Sequence, residues 1–430
     1  MFKYRNGAGI QNKVFPLMAI MALGLVGCAS SVGNTAQSGE QVNGFDYGAD
    51  QGAVEETITG LEPVTITYQS DAASPNGVTA KASEMWKEEI EKRSNGQITV
   101  DIVWGQSIAG FTEIGDALVD GRIDVASMII AYEPAEYPAF DSFAKLSAAI
   151  PPSPMVGELI SSGVGSEFGW STPALTEEFE AQGLVPLAPF GGTGEYYYFC
   201  NSQNTGTASE DWVGRQIRTG TSSHHTVLGA AGATPVSLEM AESFEALERN
   251  TVDCTLQQAG TTLTYGITEA APNLRFADST SNSGRFSAGL VAGSTFSELP
   301  LPYQQVIFDA TPALQSGFLE SVVNSGVGIT EQSLASGGSV EPLPADFQET
   351  VQVTQTEMIQ EAGATGVLGE DPEARVQELV EKWEGIVEEY GFTDGGDIST
   401  MHDWYSADGK DYRGFADRVF DEEAAGHRPE

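Results

Sequence analysis

The sequence predicts an α/β protein in which helices cover both faces of a mostly parallel β-sheet. Two observations support this fold class. Short runs of β-branched and apolar residues alternate with longer stretches in which apolar residues recur every three or four positions. The chain has 430 residues, of which 40% are hydrophobic, so it can bury a substantial core. This composition excludes a chain that is disordered throughout.

The first half of the chain begins with a predicted strand at residues 65–70. A helix follows and ends near Gly96, because apolar residues fall on one of its faces at Val78, Ala82, Met85, Trp86 and Ile90. A strand at 98–104 and a helix at 111–121 come next. The nearly continuous apolar run at 123–130 then predicts a buried strand.

The second half of the chain repeats this alternation. Further strands are predicted at 184–189, 196–200, 216–219, 234–237 and 252–256. Residues 344–390 are acidic and follow a helical pattern that ends near Gly391. This tail is expected to form outer helices with a solvated face.

The N-terminal residues are typical of a targeting segment. Lys3, Arg5 and Lys13 precede a 13-residue apolar run at 14–26, which is too short to span a bilayer but suits the core of a signal peptide. The run ends in Leu-Val-Gly-Cys, which resembles the bacterial lipobox and implies that residues 1–27 are removed and that Cys28 carries a lipid anchor. An ordinary secretory signal is the alternative. Residues 28–60 have the composition of a flexible tether.

Two cysteines remain, Cys200 and Cys254, and each lies in a strand-like run. An even pair of cysteines outside the cytoplasm predicts a disulfide. Two buried free thiols are the alternative.

The charge and the missing motifs exclude several functions. The chain has 61 acidic and 20 basic residues, a formal charge of −41, so it is not expected to bind nucleic acid. The sequence contains no CxxC, HExxH, GxSxG, P-loop or GxGxxG motif. His224 and His225 are adjacent, a spacing more typical of capping or contact residues than of a metal site. No cofactor or metal is expected.

Ligands of open α/β sheets bind beyond the carboxyl ends of the strands. The loops after the predicted strands are therefore the candidate binding loops, at 69–74, 104–107, 130–133, 218–223 and 257–260. Arg218 stands out, because bases are few in this chain and a guanidinium can hold a carboxylate through two parallel hydrogen bonds. An ion pair with one of the 61 acidic residues is the alternative role for Arg218.

Three stretches of sequence resemble one family. The first contains Asp211, Gly214, Ile217 and Arg218; the second contains Leu228, Gly232, Ala233, Pro235 and Val236; the third contains Ala246, Leu247, Val252 and Asp253. An earlier stretch, residues 121–124, reads Gly-Arg-Ile-Asp. In these motifs the chain resembles the solute-binding proteins of TRAP transporters, the DctP-like family, over roughly residues 64–343.

The resemblance implies a two-lobed, periplasmic-binding-protein-like α/β fold with a ligand cleft between the lobes and a helical C-terminal extension. Lobe I would comprise residues 61–187 and 288–343, lobe II residues 188–287, and residues 344–430 would pack on the lobes. The implied function is that of an extracytoplasmic receptor, anchored to the membrane by its lipid, which delivers a small organic acid to the membrane subunits of a TRAP importer. An ABC-type or sensory binding protein is the alternative, followed by an extracellular enzyme on a similar scaffold.

The resemblance also gives Arg218 the role of principal clamp on the ligand's carboxylate. Further candidate ligand contacts are Ser70, Trp104, Tyr132, Tyr197, Gln257 and Gln258. For Trp104, Tyr132 and Tyr197, packing in the core is the alternative. Many members of the family carry a second arginine in a Gly-Phe-Arg element, where this chain has Gly-Glu-Tyr at 194–196. A ligand with one carboxylate, or with another polar group in place of a second, is therefore expected.

Overall fold

The computed structural model describes residues 43–201 and 206–430, and within them the strands form two separate sheets. The predicted signal peptide and Cys28 lie outside the described residues. In chain order the strands are β1 (Val64–Gln69), β2 (Ile98–Val103), β3 (Val125–Met128), β4 (Val185–Ala188), β5 (Tyr196–Cys200), β6 (Gln216–Thr219), β7 (Thr234–Ser237), β8 (Cys254–Gln258), β9 (Asn273–Phe276), β10 (Gly289–Ala292) and β11 (Val340–Pro342).

Helices precede, connect and follow these strands. They are α1 (Gln51–Ile58), α2 (Ala80–Arg93), α3 (Ile114–Val119), α4 (Pro138–Leu146), α5 (Val156–Trp170), α6 (Pro173–Ala181), α7 (Ser222–Ala230), α8 (Ser243–Glu248), α9 (Ala259–Thr264), α10 (Ile267–Ala270), α11 (Ser294–Glu298), α12 (Leu301–Asp309), α13 (Thr311–Ala335), α14 (Ala345–Ala364), α15 (Pro372–Glu389), α16 (Met401–Trp404) and α17 (Tyr412–Glu422). None of the helices in the described part of the chain is both long and apolar enough to cross a membrane.

The first sheet, which we call the sheet of lobe I, has the order β2-β1-β3-β10-β4. The first three of these strands are parallel, whereas β10 runs antiparallel to both β3 and β4. The alternation that predicted β2 is visible in its burial, since Ile98 and Val100 are buried and Thr99 and Asp101 are exposed.

The second sheet, that of lobe II, has the order β11-β9-β5-β8-β6-β7. Here β5 is antiparallel to β8 and β9, while β6 is parallel to β7 and β8. Cys200 and Cys254 lie directly opposite each other on β5 and β8 and form a disulfide, as the sequence predicts.

Both sheets are therefore mixed rather than mostly parallel, and the reason is the path of the chain between them. Residues 189–195 connect β4 to β5, and residues 277–288 connect β9 to β10. Each connection enters the other sheet directly, without the helical crossover that places a strand parallel to its neighbour. The strand that follows each crossing is the antiparallel one.

Two boundaries differ from the sequence-based expectation. The predicted tether extends to residue 60, but α1 lies within it: Asp50 caps its first turn, and Val54 and Ile58 are buried. One apolar pair in eight residues is too short a pattern to indicate a helix. Residues 340–342, predicted for lobe I, form β11 and pair with β9 in the sheet of lobe II. Gly338 permits this return, because a Cβ atom there would collide with the carbonyl oxygen of Pro272.

Arg285 joins the two crossing segments. Its Nη2 atom donates to Glu195 Oε2 at 2.5 Å, and its Nη1 atom lies 3.5 Å from Glu158 Oε2 on α5. Burial opposes the charge of the guanidinium, but Glu195 and Glu158 outweigh it and raise the pKa of Arg285. The backbone N–H and the hydroxyl of Thr193 both donate to the Arg285 carbonyl, at 2.8 and 2.6 Å. The two crossing segments are thus fixed to each other.

We predict that Arg285→Met lowers the free energy of unfolding by about 3–5 kcal/mol, because it leaves two buried glutamates without their cation. Urea unfolding followed by circular dichroism measures this loss. Arg249→Met is the matched control: its ion pair with Glu245 lies on the surface and contributes less than about 1 kcal/mol. Equal losses in the two variants would contradict the role of Arg285.

Candidate functional site

A cavity of about 200 Å³ has walls from both lobes. Lobe I contributes residues that follow β1 and β3, among them Asp71 and Tyr132. Lobe II contributes the carboxyl ends of β6 and β8, with Arg218, Gln257 and Gln258. The cavity therefore lies where four of the five predicted binding loops meet, and the loop at 104–107 does not line it.

Arg218 is the one basic side chain among the described residues that line this cavity. It is 3% exposed, and its Nε atom donates to the carbonyl oxygen of Leu238 at 2.9 Å. Its Nη2 atom is buried and has no hydrogen-bond partner among the described residues. The backbone thus orients the guanidinium and leaves a donor of the fork unused.

Tyrosines lie close to this guanidinium. A Cβ atom on Gly220 would be 3.1 Å from the ring of Tyr132 and 3.3 Å from Arg218 Nη2, so the glycine leaves room for both groups. Tyr196 also lines the cavity. Burial raises the pKa of Tyr196 to about 12, although a hydrogen bond with Ser287 and the Arg218 guanidinium oppose the shift. Its phenol therefore stays protonated and uncharged.

The two glutamines at the end of β8 have different roles. Gln257 is buried, its Oε1 accepts from the hydroxyl of Thr255 at 2.8 Å, and its Nε2 has no partner among the described residues. Gln258 instead donates through Nε2 to the hydroxyl of Thr193 at 2.6 Å. Gln257 offers a donor to a ligand, whereas Gln258 ties β8 to the first crossing segment.

Of the three remaining predicted contacts, one lines the cavity and two do not. Tyr197 lines the cavity and is buried, and this burial, together with Glu158 and Glu195, raises the pKa of its phenol. Ser70 and Trp104 are not among the residues that line the cavity. Ser70 points toward α2, with its Oγ atom 2.8 Å from Ser83 Oγ. Trp104 is half-buried in the loop after β2, an edge strand of its sheet.

Asp71 and Tyr265 are two of the cavity residues that were not among the predicted contacts. Asp71 lies in the predicted loop 69–74 and is half-buried, and loss of hydration raises the pKa of its carboxyl group despite hydrogen bonds from Thr79 and Ser70. Tyr265 also lines the cavity, but it follows the short helix α9 rather than a strand. The sequence predicted the loop that contains Asp71, but nothing in the sequence indicated Tyr265.

His224 packs against Tyr196, one of the residues that line the cavity. Its ring is buried, with Nδ1 at 3.1 Å from Thr219 Oγ1 and Nε2 at 2.6 Å from the carbonyl oxygen of Ser283. The ring of Tyr196 packs edge-on against it at 4.5 Å. Burial, with a smaller contribution from Arg218, lowers the pKa of His224 to about 4. Across residues 43–201 and 206–430, no group of three or more potential ligands is arranged to hold a metal ion.

We predict that His224 makes the protein less stable in acid. The folded state holds this histidine neutral down to about pH 4, whereas an unfolded histidine titrates near 6.5. Between these values the unfolded state binds more protons, so the contribution of His224 is complete above about pH 6.5 and falls by about 2 kcal/mol at pH 5. The difference in unfolding free energy between wild type and His224→Gln, from urea titrations at about pH 8 and pH 5, should shrink by this amount. A difference that is independent of pH would contradict the assignment.

Residues 69–364 match the family model of DctP, described as "Bacterial extracellular solute-binding protein, family 7". This match covers more than half of the chain. A "Solute-binding protein" of Albidiferax ferrireducens is 22% identical over 312 residues, which are 72% of this chain and 78% of that protein.

Solved structures of TRAP solute-binding proteins have a similar fold. One is a marine metagenome protein from an unidentified microbe, specific for pyroglutamate, with a TM-score of 0.61, 14% identity and coverage of 75% of this chain and 100% of that chain. Another is the sugar acid binding protein DctPAm of Advenella mimigardefordensis in complex with galactonate, with a TM-score of 0.60, 17% identity and coverage of 75% and 99%. These likenesses confirm the two-lobed α/β fold. The family match assigns the chain to the DctP family of TRAP solute-binding proteins, which are transport receptors and not enzymes.

Proposed function

We propose that this protein is an extracytoplasmic, lipid-anchored receptor that binds a small organic acid through Arg218 and delivers it to a TRAP-type membrane importer. The observation that carries the proposal is the buried guanidinium in the cavity wall, with an Nη2 donor unpaired among the described residues. A buried cation without a counter-ion is costly, and this chain has 61 acids that could have paired with it. A carboxylate from the ligand would complete the site.

The neighbouring groups favour one carboxylate. Arg218 would hold it from one side, while Tyr132, Tyr196 and the Nε2 atom of Gln257 supply neutral donors. No other cation among the described lining residues could hold a second carboxylate. The pyroglutamate and galactonate bound by the two similar proteins each carry a single carboxylate.

The same arrangement supports capture by closure. Arg218 and Gln257 belong to lobe II, whereas Asp71 and Tyr132 belong to lobe I, so a ligand in the cavity would contact both. Hinge closure around a ligand is a common motion of two-lobed binding proteins. The crossing segments 189–195 and 277–288 are the natural hinge.

We predict that Arg218→Gln weakens binding of the acid by about 2–5 kcal/mol, because the carboxylate loses its charged partner in a buried site. A thermal-shift screen of pyroglutamate, galactonate, 3-hydroxybenzoate and octanoate identifies the acid to use, and titration calorimetry then gives the affinities. Arg249→Gln removes an exposed arginine that does not line the cavity and should bind as the wild type does. Unchanged affinity in Arg218→Gln would remove Arg218 from the site.

We also predict that Cys28 is acylated. Cells that express the full chain and are fed an alkyne-bearing fatty acid should label the wild type in the membrane fraction, and Cys28→Ala should lose the label. Label retained by Cys28→Ala would contradict the lipid anchor.

We predict that cells that carry the TRAP membrane subunits take up the acid when they express the wild type and lose this uptake when they express Arg218→Gln. Unchanged uptake would contradict delivery to that importer.

A further inference from the structure

We propose that the acid carries a long apolar tail, which lies in a channel that continues the cavity from Arg218 into lobe I between α5 and α13. This inference rests on the proposed function, since it takes the carboxylate to be held by Arg218. It adds the chemical class of the ligand: an amphipathic monocarboxylate with an extended alkyl or aryl chain.

One wall of the channel is a face of α13. Lining residues recur along this helix every three or four positions, at Thr311, Leu314, Phe318, Val322 and Ser325. Fourteen residues separate the first from the last, so the lined face is about 21 Å long. At the cleft end, a Cβ atom on Gly260 of lobe II would lie 3.4 Å from Ser325 Oγ. The cavity is therefore elongated, and it begins at the cleft.

The opposite wall is a face of α5. Glu158, Ser162, Ser166 and Trp170 follow one another at intervals of four residues, and all four line the same cavity. This stripe extends over about 18 Å. The two serines are buried and small, so they leave a narrow passage between the helices.

The end of the channel distant from Arg218 is apolar. Its wall is formed by Trp170, Leu187, Phe190, Phe420 and Ala424. The rings of Trp170 and Phe190 are 5.3 Å apart, which makes a continuous aromatic surface. The last two residues belong to the C-terminal segment, beyond residue 364 where the family match ends. The channel end is thus completed by residues that lie outside the matched family region.

Charge is confined to the other part of the channel. The charged residues among the described lining residues are Asp71, Glu158, Glu195 and Arg218, and both glutamates are already paired with Arg285. Two polar side chains nearer the apolar end are also hydrogen-bonded: Thr311 donates to the carbonyl of Phe308, and Ser162 accepts from Gln315. A polyol chain would find few partners there, and unpaired hydroxyls are costly to bury. An apolar tail needs none.

The test is the dependence of affinity on chain length. Calorimetric titrations of the wild type with acetate, butanoate, octanoate and dodecanoate should show affinity rising by up to about fourfold for each methylene that enters the channel. Dodecanol, which has the tail but no carboxylate, should bind at least tenfold more weakly than dodecanoate. Equal affinities for butanoate and dodecanoate, or equal affinities for dodecanol and dodecanoate, would overturn the inference.

A variant that blocks the channel locates the tail. Ser166→Phe should weaken dodecanoate at least tenfold and leave butanoate unchanged. Thr356→Phe, at an exposed position of α14, is the matched control and should change neither. If Ser166→Phe does not fold, Ser162→Leu is used in its place. The chain-length titration of the wild type tests the apolar tail without any variant. Unchanged dodecanoate affinity in a folded, blocked variant would overturn the inference.

The two proposals fail in different ways. If short acids bind in a manner that requires Arg218 but longer chains gain nothing, the receptor remains and the apolar tail is wrong. If none of the acids binds, or if Arg218→Gln binds them all as the wild type does, the carboxylate receptor itself is wrong.

Discussion

The buried guanidinium of Arg285 holds together two of the chain segments that pass between the lobes, residues 189–195 and 277–288, and the binding site depends on this contact. It fixes Glu195 immediately before β5 and, through Thr193, the rest of the first crossing segment. Gln258 reaches the same threonine from β8. The position of the cleft, the direction of β5 and the entrance of the channel are therefore set by one hydrogen-bonded junction. Since its members are buried and oppositely charged, they have little freedom to rearrange separately.

Much of this architecture could be predicted from the sequence because its signals are local. The alternation along β2, the strand-like runs of β1 and β6 and the helical spacing in α2 lie within single elements, and the site loop with Arg218 follows directly from the end of β6. The disulfide followed from the parity of the cysteines and the strand-like runs around them. The structure joins those cysteines across β5 and β8.

The remainder could not be predicted because it depends on contacts between distant parts of the chain. The mixed direction of both sheets depends on how the crossings enter them, and β11 depends on a close approach to Pro272. Ser70 and Trp104 follow strands as expected, yet neither is among the residues that line the cavity. The channel is assembled from α5, α13 and α17, which are far apart in sequence. Its serines, aromatic residues and leucines carry no motif.

The net charge of −41 has a consequence for how an anion reaches Arg218. At low ionic strength the surface repels an approaching carboxylate over a Debye length of about 30 Å, so the cleft is entered against the field of the whole protein. Salt near 1 M shortens that range to about 3 Å, and the guanidinium then acts on an anion that has already arrived. Selectivity for negative charge is thus a short-range property of the cavity. The receptor is therefore better suited to binding an anion at high ionic strength than at low ionic strength.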